Sequence, residues 1–417
     1  MRPLSVVSLL LALASPAWAQ ESELTLAGAL ARARERSPEA AVSRAESRAA
    51  SAAARQAGAL GNPSLTLGRE RTSGPSGHNA QTVIQLEQRL DFTGVRSADA
   101  TAARARMAGS EALAVQAGHR LDARVVRVFA HLVGARRRVS LADRLEALTD
   151  SASTIVRRRF EAGDASGFDR RRLELEAARY AALAVAARFE RDSVATELAA
   201  LVGIDDPAGV RPVDALPRPA AVPPVDTLLS WAERRPDLLA SRHAVVAAEA
   251  DVAGRSREWI PAPVVSAGYK TEEAAGQRGS ATGFVVGLSV PVPLWDRRGA
   301  ARGNRLAIAD RARADAERAR RDAGVEVRRL AGGMGSLLEQ RQLLGARLGS
   351  EADLALHAVA VAFAEGELPL AQWLDAVRAY HEARVALVQL DVEIAARWAD
   401  LAAAVGGAVE TLAGVER

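Results

Sequence analysis

Apolar and polar residues alternate along Phe284–Val290 with the two-residue period of a pleated strand. Large apolar side chains fall on one face, and small or polar side chains fall on the other. Pro291 and Pro293 follow, and because proline cannot donate a ladder hydrogen bond, strand pairing is expected to stop there. From Arg298 onward no proline occurs until Pro369, which leaves room for long helices.

The same alternation predicts two β-hairpins. In the first, strands at about 64–71 and 82–90 flank the Gly-, Ser- and Pro-rich stretch 72–80, which is expected to be a loop. In the second, strands at about 264–270 and 284–292 flank another loop rich in Gly, Ser and Glu. Each hairpin has one apolar and one more polar face, and the second is expected to leave a membrane and continue into a helix.

Long helical patterns follow each hairpin. Leu121, Val125, Val128 and Leu132 step by four, three and four, the spacing of the packed face of a helix. A proline-free run of about 65 residues would extend about 97 Å if wholly helical, more than a single globular domain needs. The predicted long helices cover about 96–160, 168–201, 298–363 and 370–405.

The second half of the chain repeats landmarks of the first half in the same order. Arg235-Pro-Asp237 corresponds to Ser37-Pro-Glu39, Pro261 to Pro63, Phe363-Ala-Glu-Gly366 to Phe160-Glu-Ala-Gly163, and Val405-Gly406 to Val202-Gly203. The offset stays close to about 200 residues, which indicates an internal duplication.

The predicted organisation is repeat 1 at 20–203, a Pro-rich irregular linker at 204–225, and repeat 2 at 226–417. Each repeat gives a short helix, a strand, a loop, a strand, a long helix, a turn and a second long helix. The expected fold class is therefore mainly α with a small β part.

The N-terminal residues have the three parts of a secretory signal peptide, predicted at 1–19. Met1-Arg2 is basic, Leu4–Ala14 is a short apolar core, and Ala17-Trp-Ala19 is a small-x-small cleavage site, so the mature chain is expected to start at Gln20. The apolar core is shorter than the roughly 20 residues that span a bilayer. The sequence has no cysteine, so neither disulfides nor a lipid-bearing cysteine are expected.

Charge argues against a nucleic-acid partner. The pI is about 10.1, but 55 basic and 51 acidic residues are interleaved along the 417-residue chain, and the formal net charge is only +4. Such patterns are more typical of solvated helix faces. The arginine runs 136–138, 157–159 and 170–172 are interpreted as such faces, paired with nearby Glu and Asp.

Four predicted strands per chain are too few to close a membrane barrel, because known barrels begin at about 8 strands. An open edge in lipid would leave backbone groups unpaired, at several kcal/mol each. Chains are therefore expected to pool their strands. Two chains would give about 8 strands, a barrel filled by side chains, and three would give about 12, enough to leave a lumen. The alternative is a soluble periplasmic sandwich. The signal peptide and helices too long for a sandwich argue against it.

The repeat and three motifs are similar to the TolC family of outer-membrane efflux channels, over essentially the whole mature sequence. Ser289–Asp296 resembles the family's strand exit, a proline pair followed by an aromatic residue and a polar turn, and Leu86–Gly94 is its counterpart. Phe363–Ala376 resembles the helix-turn-helix at the periplasmic tip. The resemblance implies a homotrimer whose pooled strands form a 12-stranded barrel in the outer membrane, continuing into a long α-helical barrel in the periplasm.

Within the family, Gly94–Arg96, Arg257–Pro261 and Trp295–Gly299 are most similar to the heavy-metal branch, the CzcC-like components of cation efflux pumps. The resemblance implies the exit duct of a tripartite efflux system for metal cations. Its expected partners are a periplasmic adaptor, an inner-membrane pump of the resistance-nodulation-division type, and outer-membrane lipid.

Two alternatives stay open on the sequence. The same fold could export drugs or secreted proteins, because the pump generally selects the cargo. A periplasmic coiled-coil adaptor would also contain long helices. It should show one helical hairpin between β-rich halves, whereas this chain has a duplicated strand–helix order.

The resemblance also implies a gate at the periplasmic tips. Family channels often close with two aspartates three residues apart, and the matching positions here are Gln372 and Asp375. Carboxylates facing a narrow pore attract cations, although turn and N-cap chemistry is the plainer interpretation of Asp near a helix start. Further acidic residues near the two predicted tips are Asp164, Asp169, Glu365 and Glu367.

Adaptor docking is expected, from the same resemblance, at Phe160, Gly163, Phe363 and Gly366. A helix-reversing turn explains both glycines without a partner. No cofactor and no metal site are expected, because no two histidines lie three or four residues apart and cysteine is absent. No hydrolase-type serine elbow occurs, so the chain is not expected to be an enzyme.

Overall fold

A computed structural model describes residues 22–75, 77–213, 215–219, 221–273, 279–295, 299–348 and 350–407. The predicted signal peptide, residues 1–19, lies outside the described residues, as do Gln20 and Asp296. The described chain is mainly helical with a small β part, which confirms the predicted fold class.

Helices dominate the order of elements. They are α1 (Leu26–Arg36), α2 (Pro38–Gly58), α3 (Val95–Ala162), α4 (Gly167–Val202), α5 (Val225–Ala232), α6 (Pro236–Arg255), α7 (Gly299–Leu348), α8 (Ser350–Glu365) and α9 (Leu370–Ala404). The strands are β1 (Ser22–Leu24), β2 (Ser64–Gly74), β3 (Gly77–Arg89), β4 (Val210–Pro212), β5 (Val264–Glu273) and β6 (Ala281–Ser289). Helix α3 alone has 68 residues, a length of about 100 Å.

Helix starts follow the local sequence. Proline occupies the first position of α2 and of α6, where its missing N–H removes no intrahelical bond. Thr25 caps α1, its side chain accepting a hydrogen bond from the Gly28 amide at 3.0 Å.

The two hairpins form one antiparallel sheet in the order β2-β3-β5-β6. Strands β2 and β6 are its edges within the described residues. Large apolar side chains share one face and are exposed in the single chain. Two cross-strand rows of that face are Leu65, Leu86, Ala267, Val286 and Leu67, Ile84, Tyr269, Phe284.

The opposite face of the sheet is more polar, as the alternation predicts. Gln85 donates a hydrogen bond to Glu87 at 3.3 Å, and Lys270 pairs with Glu272 at 3.1 Å. On the apolar face, the rings of Tyr269 and Phe284 meet edge to face with centroids 6.0 Å apart. The sheet therefore has one apolar face and one polar face.

The strands differ in length from those predicted. The predicted loop at 72–80 is wrong, because β2 extends to Gly74 and β3 begins at Gly77, with those two glycines paired. The second hairpin also extends, to Glu273 and from Ala281. Strand β6 ends at Ser289, before the proline pair, and not at residue 292.

The linker is not wholly irregular, which corrects the prediction for 204–225. Residues Pro207–Gly209 form a 3₁₀ turn, and β4 follows and pairs in parallel with β1. The Val213 amide adds a hydrogen bond to the Leu24 carbonyl at 3.3 Å. The predicted helix 298–363 is described as α7 and α8, with Arg298 outside the described residues.

The chain divides into two compact units, each drawing on both predicted repeats. The first unit comprises the described residues up to Ser37, then Asp122–Pro219 and Ser336–Ala399. The second comprises Pro38–Leu121, Ala220–Gly335 and the described residues from Asp400, and it contains the four-stranded sheet.

Among the described residues, no helix combines the length and the apolar character that crossing a bilayer requires.

Candidate functional site

Two helix ends in the first unit form the same glycine turn. After α3, the Gly163 amide donates to the Phe160 carbonyl at 3.1 Å, and Gly163 has φ 87°. After α8, the Gly366 amide donates to the Phe363 carbonyl at 3.2 Å, and Gly366 has φ 88°. Glycine adopts this left-handed conformation without the steric cost that a Cβ atom imposes. We call these turns tip 1 (159–167) and tip 2 (362–370).

Arg159 joins the two tips. Its guanidinium donates hydrogen bonds to the carbonyls of Phe363 and Ala364, both at 3.0 Å. It also lies 5.6 Å from the centroid of the Phe363 ring, within cation–π range. The interpretation of 157–159 as a purely solvated face is therefore wrong for Arg159, which donates to two carbonyls at the end of α8.

Each tip holds its phenylalanine against a side chain ten residues later. In tip 2, the rings of Phe363 and Trp373 lie 5.1 Å apart. In tip 1, the Arg170 guanidinium lies 5.1 Å from the Phe160 ring. The same position of the repeat thus carries an aromatic partner in one copy and a cation in the other.

The two phenylalanine rings also differ in exposure. Phe363 is 3% exposed and belongs to a core with Trp373, Leu374 and Val377. Phe160 is 41% exposed. The Phe363 ring packs inward, whereas the Phe160 ring remains accessible. Adaptor docking at these residues stays a prediction.

The predicted gate positions lie on the exposed side of α9. Gln372 and Asp375 are exposed, while Trp373, Leu374 and Val377 face the core. Asp164, Glu365 and Glu367 are exposed beside the glycine turns.

Asp169 has a different environment from the other acidic residues. It is half-buried, and its amide and carboxylate both bond to the Ser166 hydroxyl, at 3.0 and 2.7 Å. This is the N-cap chemistry of α4.

Charged side chains fasten α9 to its neighbours in the first unit. Asp353 of α8 accepts hydrogen bonds from the Tyr380 hydroxyl and from Arg384, both at 2.5 Å. Arg144 of α3 adds a third contact at 3.1 Å. The Tyr380 hydrogen bond, with Arg384 beside it, lowers the pKa of Asp353, whereas burial and the same bond raise the pKa of Tyr380.

Four further contacts connect α9 with α3, α4, α7 and the linker. Arg378 pairs with Glu176 of α4. Asp391, only 8% exposed, accepts from Arg137, Arg218 and Arg341 at 3.2, 3.1 and 2.6 Å. Sequence reasoning missed these contacts, because partners up to 254 residues apart leave no local pattern.

Metal-binding geometry is absent from the part of the chain that the structure describes: no group of three or more His, Cys, Asp or Glu side chains could hold an ion there. His381 instead packs edge to face on Tyr180, with ring centroids 5.8 Å apart. Burial lowers the pKa of His381, so its imidazole favours the neutral form.

Residues 229–407 match the family model described as outer membrane efflux protein. No curated protein matches the chain. Members of the matched family are transport ducts and not enzymes.

Solved outer-membrane proteins share the fold. The outer membrane protein VceC of Vibrio cholerae is 20% identical, with a TM-score of 0.76 over 92% of this chain and 96% of that one. The CmeC outer membrane channel of Campylobacter jejuni is 14% identical, with a TM-score of 0.76 over 97% and 94%. The MtrE outer membrane channel of Neisseria gonorrhoeae, in its open state, is 20% identical, with a TM-score of 0.74 over 92% and 89%.

Identities this low establish the fold alone, and the family match covers residues 229–407 of the 417-residue chain. The described chain thus has the fold of solved outer-membrane channel proteins, and its residues 229–407 match the outer membrane efflux protein family.

Proposed function

We propose that the chain forms, as a homotrimer, the exit duct of a tripartite efflux system that exports heavy-metal cations. The observation that carries the proposal is the exposure of acidic side chains at both tips, with Asp375 on the open side of α9. A periplasmic adaptor and an inner-membrane pump of the resistance-nodulation-division type complete the system.

Trimer formation is supported by the two open edges of the sheet. Strand β2 at one edge and β6 at the other leave unpaired backbone groups, which lipid cannot satisfy. Pairing β6 of one copy with β2 of the next, three times, gives about 12 strands and a lumen lined by the polar face.

The absence of native cysteine makes the edge pairing testable by cross-linking. With a cysteine fixed at Val285 on β6, single cysteines scanned along β2 should give a covalent trimer at the paired register. A matched scan with the fixed cysteine at Gln85 on β3, an interior strand, should give no inter-chain product. A lone soluble subunit in both scans would exclude the duct.

Cation export is supported by the carboxylates at the tips. Asp375, Glu365, Glu367 and Asp164 are exposed, and copies brought together by threefold symmetry would form acidic rings that concentrate cations. Gln372 is neutral, so its copies would add no charge, and the acidic rings would consist of the exposed carboxylates. Asp169 contributes least to them, because it caps α4.

The gate is tested in planar bilayers with Asp375→Ala. Because Asp375 is exposed, the substitution leaves the core of the first unit intact, and we expect higher conductance or weaker cation preference. Glu351→Ala, the same change of charge in the first turn of α8 and far along that helix from tip 2, is the matched control. Equal effects of the two variants, or no effect of Asp375→Ala, would remove Asp375 from the gate.

Adaptor docking is proposed at the exposed parts of the tips: the Phe160 ring and the two turns at Gly163 and Gly366. The Phe363 ring is buried beside Trp373, so it packs behind this exposed surface. Phe160→Ala should weaken cross-linking to the adaptor while leaving the trimer intact.

Cargo is tested by deleting the gene and measuring tolerance to zinc, cobalt, cadmium and copper against dyes and antibiotics. Loss of metal tolerance alone supports the proposal. Unchanged metal tolerance with lost drug tolerance would keep the duct and replace its cargo with drugs.

A further inference from the structure

A cavity lies in the second unit at the end of the sheet that joins the helices. The chain after α2, the end of β3, the first turns of α3 and the segment before β5 enclose about 380 Å³. That volume falls in the range of about 300–1,000 Å³ typical of small-molecule sites.

Hydrogen bonds fix the walls of this cavity. The Gln88 side chain donates to the carbonyls of Gly61 and Arg89, at 3.2 and 3.0 Å. Asp91 accepts from the Thr93 hydroxyl at 2.9 Å and from the Arg96 amide at 3.0 Å. The cavity is therefore held open by local structure and needs no ligand to form.

Both signs of charge line the cavity. Arg89 and Arg96 are among its lining residues, and so are Asp99 and Glu258. Glu258 also pairs with Arg255, and Arg96 lies 3.7 Å from the Asp91 carboxylate. A lining with two cations and several carboxylates suits a ligand that itself carries an anion and a cation.

Exposed aromatic residues cluster at the same end of the sheet. Phe92 follows β3, Trp259 precedes β5 and Trp295 follows β6, and they are 67%, 58% and 93% exposed. Aromatic girdles of membrane barrels lie at the headgroup level, where a ring meets both apolar and aqueous phases. The apolar face of the sheet thus ends at this aromatic level, and Thr93 and Glu258, which adjoin Phe92 and Trp259 in the chain, line the cavity.

We infer that this cavity binds the headgroup of an amine-bearing phospholipid of the outer membrane. Arg89 and Arg96 hold the phosphate, Asp99 and Glu258 hold the ammonium group, and the acyl chains continue onto the apolar face of the sheet. The inference rests on the proposed outer-membrane duct and is independent of the cargo and of the gate.

The test is native mass spectrometry of the full-length assembly in detergent, titrated with phosphatidylethanolamine, phosphatidylcholine and phosphatidylglycerol. Phosphatidylethanolamine should bind best, because it alone combines a phosphate with N–H donors. Asp99→Asn and Arg89→Gln should each reduce its binding about tenfold, the loss of one charge-assisted contact. Arg69→Gln, on β2 toward the hairpin turn, is the matched control and should bind as the parent does.

Three outcomes would overturn the inference. The first is equal binding of all three lipids, and the second is equal loss in the Arg69→Gln control. The third is displacement of phosphatidylethanolamine by inorganic phosphate as readily as by more of the lipid, which would indicate a simple anion site. Unchanged mass of the assembly and unchanged circular dichroism establish that each variant has folded, so that a loss of lipid reports on the cavity.

Discussion

Replacing Arg159 by alanine should loosen the connection between the two tips. Two hydrogen bonds from its guanidinium, both at 3.0 Å, and the contact with the Phe363 ring would be lost. A hydrogen bond to a charged group contributes about 1.5–3 kcal/mol, and an exposed cation–π contact about 0.5–1 kcal/mol. Because Arg159 is half-buried and the contacts are not additive, we expect a loss of about 2–3 kcal/mol.

Hydrogen exchange at the amides of Gly366 and Glu367 measures this loss, since both bond within tip 2. A loss of 2–3 kcal/mol in local opening corresponds to exchange roughly 30- to 150-fold faster. The exchange rate in Arg159→Lys should lie between that of the parent and that of Arg159→Ala, because lysine keeps the charge but lacks the planar guanidinium. Arg158→Ala, its exposed neighbour, should leave the exchange unchanged. Unaltered exchange in Arg159→Ala, or full rescue by lysine, would refute the argument that the two carbonyl contacts hold the tips together.

Three further predictions concern stability. Gly94→Ala should lower the thermal midpoint by the equivalent of about 1 kcal/mol or more, because Gly94 has φ 78° and its Cβ would lie 2.8 Å from Nη1 of Arg257. Trp373→Ala should cost about 3–5 kcal/mol in denaturant unfolding, since the ring is 1% exposed, whereas Trp373→Phe should cost less. For His381, the folded pKa is lowered, so the unfolded chain binds the proton more readily and stability should fall as pH drops below about 6.5. Melting His381→Gln at pH 7.5 and 5.5 should show a smaller difference than the parent, and an equal difference would assign the pH dependence elsewhere.

The sheet faces were predictable because strand periodicity is local. In β6, Phe284, Val286 and Leu288 alternate with smaller residues, and the structure places those three on one exposed face. The glycine turns were also predictable from the sequence, since Gly163 and Gly366 interrupt long proline-free helical patterns. Each of these features needs only a few neighbouring residues to specify it.

Contacts between distant segments were not predictable. Strands β1 and β4 have three residues each, and one lies within a Pro-rich stretch, so neither has a periodic signal. The burial of Phe363 depends on Trp373, whereas the corresponding Phe160 meets Arg170. A repeat identified by its phenylalanine and glycine therefore fixes the turn but not the exposure of the ring.

The pairing of β1 with β4 has a consequence for how the protein is made. Ser22–Leu24 finds its partner only when Val210–Pro212 is also present, so β1 stays unpaired until about half of the chain has been synthesised. Closing so long a loop is entropically costly, and the three-residue ladder must be supported by elements that have already formed. We therefore expect β1 to pair late in folding, and residues 22–24 to stay exposed until the segment around β4 is in place.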